Sequence, residues 1–172
     1  PIFQARFRPA FLVGFPRSGT TLLDTMLDAH SDVVSIEERP TLELAIEETL
    51  GAHGGYPDGL SELNAAGVAA LQSSYLMQAE RWLPDNFSGL LLDKLPLRLL
   101  RIPLLHRLFP TAPIVFALRH PCDVVLSNFM QQYDPNEAFI HFDTLEDSAQ
   151  LYAQVMTTWR LIVDTLPIHS HY

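Results

Sequence analysis

The chain predicts an α/β fold, a parallel sheet flanked by helices, and three observations carry that expectation. Short apolar runs bounded by turn residues alternate with segments of helical apolar spacing, the pattern of strands joined by helical crossovers. Two runs, Leu90-Leu91-Leu92 and Ile114 to Leu118, are apolar without alternation, as strands covered on both faces are. The first run, Ala10 to Val13, passes through a glycine-bearing turn directly into a helical segment. Apolar residues make up 48% of the 172 and charged residues 18%, which excludes a disordered chain. No run approaches the roughly 18 to 20 apolar residues of a membrane span. One domain, residues 1–172, is expected.

Taken in order, Pro1 to Pro9 read as a lead-in, Ala10 to Val13 as the first strand, and the helix after the turn ends near His30. Val33 to Ile36 is a second short strand, Thr41 to Leu50 a short helix, and Gly51 to Gly59 a loop dense in turn formers. Ser61 to Leu83 reads as one long helix, stopped by Pro84-Asp85-Asn86. Leu90 to Leu92 is the third strand. Leu97 to Phe109 is helical in pattern, with Pro103 breaking or restarting it. Ile114 to Leu118 is the fourth strand, and Pro121 suits the first turn of the helix that follows to about Gln131. Tyr133 to Asn136 is a loop. Thr144-Leu145-Glu146-Asp147 opens a long helix as a capping-box variant, and Pro167 stops it near Leu166. His169 to Tyr172 reads as a tail with no closing element.

The turn Gly14-Phe15-Pro16-Arg17-Ser18-Gly19-Thr20-Thr21 has the chemistry of an anion cradle. Backbone N–H groups at the start of a helix point at the ligand, and the helix dipole adds to them. Ser18, Thr20 and Thr21 bring hydroxyls, and Arg17 a guanidinium suited to phosphate-like oxygens. The spacing is that of a nucleotide P-loop, G-x-x-x-x-G, with Thr20 in place of the usual lysine. The expected architecture is therefore a P-loop-type parallel sheet.

Charge sharpens the search. Eleven basic against 20 acidic residues give a formal charge of −9, which argues against a nucleic-acid surface. An acidic protein that binds an anion concentrates its few cations at the site. Lys94 is the sole lysine and follows the third strand. Ligands in parallel sheets bind beyond the carboxyl ends of the strands. Each expected strand ends in a polar candidate: Arg17 to Thr21, Glu37-Glu38, Lys94 and Arg119. No His, Cys or carboxylate cluster has metal-ligand spacing, so no metal is expected. Cys122 is the single cysteine, which excludes an internal disulfide. With no signal or membrane span visible, a cytoplasmic setting without membrane partners is expected.

Pro16-Arg17-Ser18-Gly19-Thr20-Thr21-Leu22-Leu23, running into Met26-Leu27-Asp28-Ala29-His30, resembles the 5′-phosphosulfate loop of sulfotransferases. The likeness is strongest to tyrosylprotein sulfotransferases and to bacterial sulfotransferases fused to helical repeats, and it runs from about Phe11 to Leu166. It implies 3′-phosphoadenosine 5′-phosphosulfate as co-substrate and a hydroxyl acceptor: a small molecule, a glycan or a peptide tyrosine. It implies that Arg17, Ser18, Gly19, Thr20 and Thr21 bind the donor. Arg119 and Ser127 match the pair that holds its 3′-phosphate. Lys94 is similar to the lysine that neutralises the transferring sulfuryl group, alongside Arg17. Glu38, with Glu37 beside it, aligns with the carboxylate that accepts the acceptor's proton. His30, His53, His106 and His120 stand as alternative bases, since other sulfotransferases use histidine. Arg98 stands where the bacterial enzymes usually have asparagine, and Pro40 where the tyrosylprotein enzymes carry an arginine. The family continues past this C-terminus, which implies a fragment of a longer chain. Two other functions fit the loop: a P-loop small-molecule kinase, with Asp93 to hold magnesium, and a catalytically silent nucleotide-binding module.

Overall fold

The computed structural model describes residues 5–51, 54–131, 139–168 and 170–171. Strands β1 (Arg8–Gly14), β2 (Val33–Glu37), β3 (Leu90–Lys94), β4 (Ile114–Ala117) and β5 (Ser170–His171) form one sheet in the order β2-β3-β1-β4-β5. Every adjacent pair is parallel. The helices are α1 (Thr20–Asp28), α2 (Thr41–Leu50), α3 (Ala65–Glu80), α4 (Ile102–Leu108), α5 (Pro121–Phe129) and α6 (Leu145–Thr165).

Alternation along β1 divides the core between two faces. Ala10 and Leu12 point to the α1 side, where they meet Leu92, Ala117, Leu23 and Leu27. Phe11 and Val13 point to the opposite side, where α2, α3, α4 and α6 supply Leu42, Tyr75, Leu105 and Trp159. Trp159 stacks on Phe116 with ring centroids 4.4 Å apart. The chain leaves β1 toward α1 and β4 toward α5, whose Val124 joins the Phe11 side. The carboxyl ends of β1 and β4 are thus neighbours whose connections depart to opposite faces, and that divergence opens a crevice.

The structure differs from the sequence reading in three places. β1 starts at Arg8, so Pro9 lies inside a central strand. Phe11 donates its N–H to Pro113 on the β4 side, so the Pro9 nitrogen, two residues earlier, faces that side too. β4 pairs only from Phe11 onward, and no strand is there to miss a donor. The helix expected over 61–83 is a 3₁₀ turn, Asp58–Glu62, and then α3. Asn64 separates them by accepting the Gly67 N–H at 2.9 Å, an N-cap. The restart expected at Pro103 is present: a 3₁₀ turn, Pro96–Arg101, is followed by α4 with Pro103 in its first turn. Ser170–His171 closes the sheet against β4, where the tail was expected to add nothing. The expected cap of α6 is present, Thr144 accepting the Asp147 N–H at 3.0 Å. The loop expected over 133–136 lies outside the described residues.

Candidate active site

A cleft of about 490 Å³ opens beyond the carboxyl ends of the strands. Its lining comes from every strand end the sequence singled out. Pro16, Arg17, Gly19, Thr20 and Thr21 follow β1, Glu38 follows β2, Leu95 to Leu97 follow β3, and Arg119 follows β4.

The two loop glycines have different causes. Gly14 pairs with Ala117 in the sheet, and a Cβ there would stand 2.7 Å from the Ala117 carbonyl oxygen and 2.8 Å from Ser18 Oγ. Its role is close packing of loop on strand. Gly19 has φ +96° and open space where a Cβ would be, so it supplies the left-handed turn that starts α1. No side chain caps α1, and its first turn holds no acidic residue. The unpaired N–H groups and positive dipole end of that turn are left to an anion.

Arg17 is also left-handed, φ 68°, an unfavourable conformation for a residue with a Cβ. It is tied from two sides: Arg119 Nη1 donates to its carbonyl at 3.2 Å, and its own Nε donates to Ser127 Oγ at 3.2 Å. Arg119 and Ser127 are thus gathered around Arg17 as neighbours of one loop. Arg119 also lies 3.6 Å from Asp123. Ser18 is buried and gives its hydroxyl to the Phe15 carbonyl at 2.5 Å, so it shapes the loop, while Thr20 and Thr21 line the cleft.

Lys94 is the electrostatic centre. Its side chain has no exposed surface, and its Nζ lies 2.5 Å from Glu37 Oε1 and 3.0 Å from Glu38 Oε1. It also reaches Thr21 Oγ1 at 3.4 Å, which brings it to the edge of the loop. Burial alone lowers an ammonium's pKa, but the hydrogen bonds and charges of the two glutamates outweigh it and raise that of Lys94. Glu38 has φ 52° and donates its own N–H to the Lys94 carbonyl at 2.8 Å.

Asp93 does not serve the cleft. It points to the opposite face of the sheet, fully buried. There it accepts hydrogen bonds from Arg98, from Tyr75 at 2.8 Å and from Thr41 at 3.2 Å. Its oxygens are committed to the core, which removes it as the magnesium ligand of a kinase. Among the described residues no group of three or more His, Cys, Asp or Glu could hold a metal ion. Two of the alternative bases have local duties: His30 Nδ1 accepts the Asp32 N–H and His120 Nδ1 accepts the Cys122 N–H, the latter at the start of α5. His53 lies outside the described residues.

Three residues of the site's framework are given no role in the sequence reading. Asn128, fully buried on α5, donates to the Pro16 carbonyl at 2.9 Å and fixes the loop to that helix. Arg98 is fully buried beneath the Glu38 turn. Asp24 of α1, also buried, accepts a hydrogen bond from Ser35 of β2. Desolvation raises the Asp24 pKa, although the Ser35 bond and the Lys94 charge oppose it.

A family model described as "Sulfotransferase family" matches residues 9–169. The chain is 32% identical over 126 residues to "Nodulation protein NoeE" of Sinorhizobium fredii, covering 68% of this chain and 30% of that protein. It is 28% identical over 133 residues to an uncharacterized protein of Aquifex aeolicus, covering 73% of this chain and 17% of that protein. The chain therefore spans less than a third of the length of either relative. The crystal structure of sulfotransferase STF9 from Mycobacterium avium superposes with a TM-score of 0.53 over 98% of this chain and 59% of that one. At 14% identity this likeness shows the fold alone.

Proposed function

We propose that this chain, which belongs to the sulfotransferase family, carries the core of an enzyme that moves a sulfuryl group from 3′-phosphoadenosine 5′-phosphosulfate to a hydroxyl. The observation that carries the reading is the uncapped N-terminus of α1, set in a cleft with Arg17, Thr21 and Arg119 and bordered by Lys94. Such a site takes a multiply charged anion without a metal ion to organise it.

The donor, when bound, supplies the activated sulfuryl group. The N–H groups of the α1 first turn, with Arg17, Thr20 and Thr21, would hold its 5′-phosphosulfate. Arg119 and Ser127 would meet the 3′-phosphate. Lys94 would turn from the glutamates to the charge that grows on the bridging oxygen as the sulfur–oxygen bond breaks. Glu38 lines the cleft and is half exposed, so it can accept the proton from the acceptor hydroxyl as the new sulfur–oxygen bond forms. The wall of Leu95, Pro96 and Leu97 gives the acceptor an apolar surface. The acceptor classes that fit are a phenol, a glycan hydroxyl and a peptide tyrosine. Among the described residues no helix is long and apolar enough to cross a membrane.

The test is calorimetric. Adenosine 3′,5′-bisphosphate should bind without magnesium and more tightly than 5′-AMP, since charge-assisted bonds to the 3′-phosphate are worth roughly 1.5 to 3 kcal/mol each. Arg119→Ala should abolish most of that preference. Equal affinity for the two nucleotides, or tight binding of ATP or GTP only with magnesium, refutes the reading.

A further inference from the structure

Resting on the proposed role of Glu38, we infer that Arg98 is a positioning residue for the reaction, holding the turn that presents the base to the cleft. Glu38 sits in the left-handed region, which a residue with a Cβ adopts only where the surroundings over-determine it. Two backbone anchors do so. The Glu38 N–H donates to the Lys94 carbonyl at 2.8 Å. The next carbonyl, that of Arg39, accepts from Arg98 Nη2 at 2.8 Å.

Arg98 is well fitted to the task. The same guanidinium donates to Asp93, to Glu43 at 2.8 Å and to Thr41 at 3.4 Å. Asp93 is the chain neighbour of Lys94 and also accepts from Tyr75. One planar cation thus braces the Lys94 strand end and the Glu38 turn against each other from inside the core. Its Nε alone lacks a partner. A buried ion cluster is a poor way to gain stability, because apolar residues of equal volume do as well or better. A fork of fixed geometry is what locks two segments in register.

The test uses the full-length protein, adenosine 3′-phosphate 5′-phosphosulfate as donor and a series of phenols of graded pKa. Arg98→Lys keeps the charge but cannot span Asp93, Glu43 and the Arg39 carbonyl together. A misplaced base should cost roughly 10² in kcat for weakly acidic phenols. The loss should fade for acidic phenols, and affinity for adenosine 3′,5′-bisphosphate should stay within about twofold of the parent, because that site does not use the base. Glu38→Gln should show the same pattern, and the double variant should be no slower than Glu38→Gln alone. Where Arg98→Lys fails to fold, Arg98→Met with Asp93→Asn and Glu43→Gln removes the charges of the cluster together and should give the same acceptor dependence. A loss equal across all phenols with weakened nucleotide binding, or no loss, overturns the inference while a slow Glu38→Gln leaves the base in place. Normal rates in Glu38→Gln overturn the base and the inference together.

Discussion

Replacing Lys94 by methionine separates two things its charge can do: neutralise the resting glutamates, and stabilise the transferring group. The stability cost should be small. Glu37 and Glu38 are 52% and 57% exposed and return to water when the ammonium is gone, so the pairs together are worth about 1 kcal/mol. Product binding should weaken only modestly. Lys94 and its two glutamates sum to one negative charge; without the lysine they sum to two. One further unit at ~8 Å in water-like screening costs about 0.5 kcal/mol per unit of ligand charge, so about 1 kcal/mol, a factor of roughly five, against a phosphate dianion. The transition state should suffer far more, since removing one preorganised donor from a developing oxyanion costs roughly 10² to 10³ in kcat.

Adding Glu37→Gln to Lys94→Met restores the charge sum, and this supplies the control. Affinity for adenosine 3′,5′-bisphosphate should return to the parent value while kcat stays low. The assay is steady-state sulfate transfer with calorimetry on both variants. Recovery of kcat in the double variant would refute the reasoning, because Lys94 would then only mask carboxylates. The raised pKa of Lys94 adds a sign. Its pairing should stabilise the fold fully below the ordinary lysine value of about 10.4 and be lost as pH rises through the raised one. The difference in Tm between parent and Lys94→Met should therefore be flat from neutral pH to about 10 and shrink above it.

Glu38→Gln should lower transfer to weakly acidic phenols by roughly 10² to 10⁴, and Glu37→Gln by much less, with donor-product affinity nearly unchanged in both; near-normal rates in both would pass the role of base to a histidine, His120 first. Asn128→Ala takes the side-chain donor from the buried Pro16 carbonyl and should cost roughly 1 to 3 kcal/mol, read as a lower urea midpoint with unchanged slope; an unaltered midpoint would show that the loop does not depend on that anchor.

The parts of the site legible in the sequence are those set by short-range physics. Gly14 to Thr21 could be read because strand, turn and helix follow one another within the chain, and each glycine answers a local demand of packing or dihedral angle. Lys94 and Arg119 could be read because strand ends in a parallel sheet face one crevice. What could not be read depends on which strand lies beside which. Glu37 meets Lys94 because β2 and β3 pair in that register, across 57 positions of sequence. Asn128 meets Pro16 across 112. Neither distance leaves a trace in composition or periodicity.

One correction was nonetheless within reach of the sequence. Asp93 and Lys94 are adjacent on a strand, and adjacent strand residues point to opposite faces. If Lys94 serves the cleft beside α1, Asp93 must enter the core beside α2 and α3, and it cannot also hold a magnesium ion at the cleft. A carboxylate sent into a core needs a cation, and with Lys94 on the other face the nearest in sequence is Arg98, at the far end of Asp93-Lys94-Leu95-Pro96-Leu97-Arg98. Period-two geometry thus sorts the segment before any contact is known: Lys94 to the side of the cleft, Asp93 and Arg98 to the brace behind it. That brace meets the Glu38 turn through the Arg39 carbonyl oxygen. The consequence of losing it should therefore fall on the orientation of Glu38 and not on the anion cradle, which is held separately by Asn128 and Arg119.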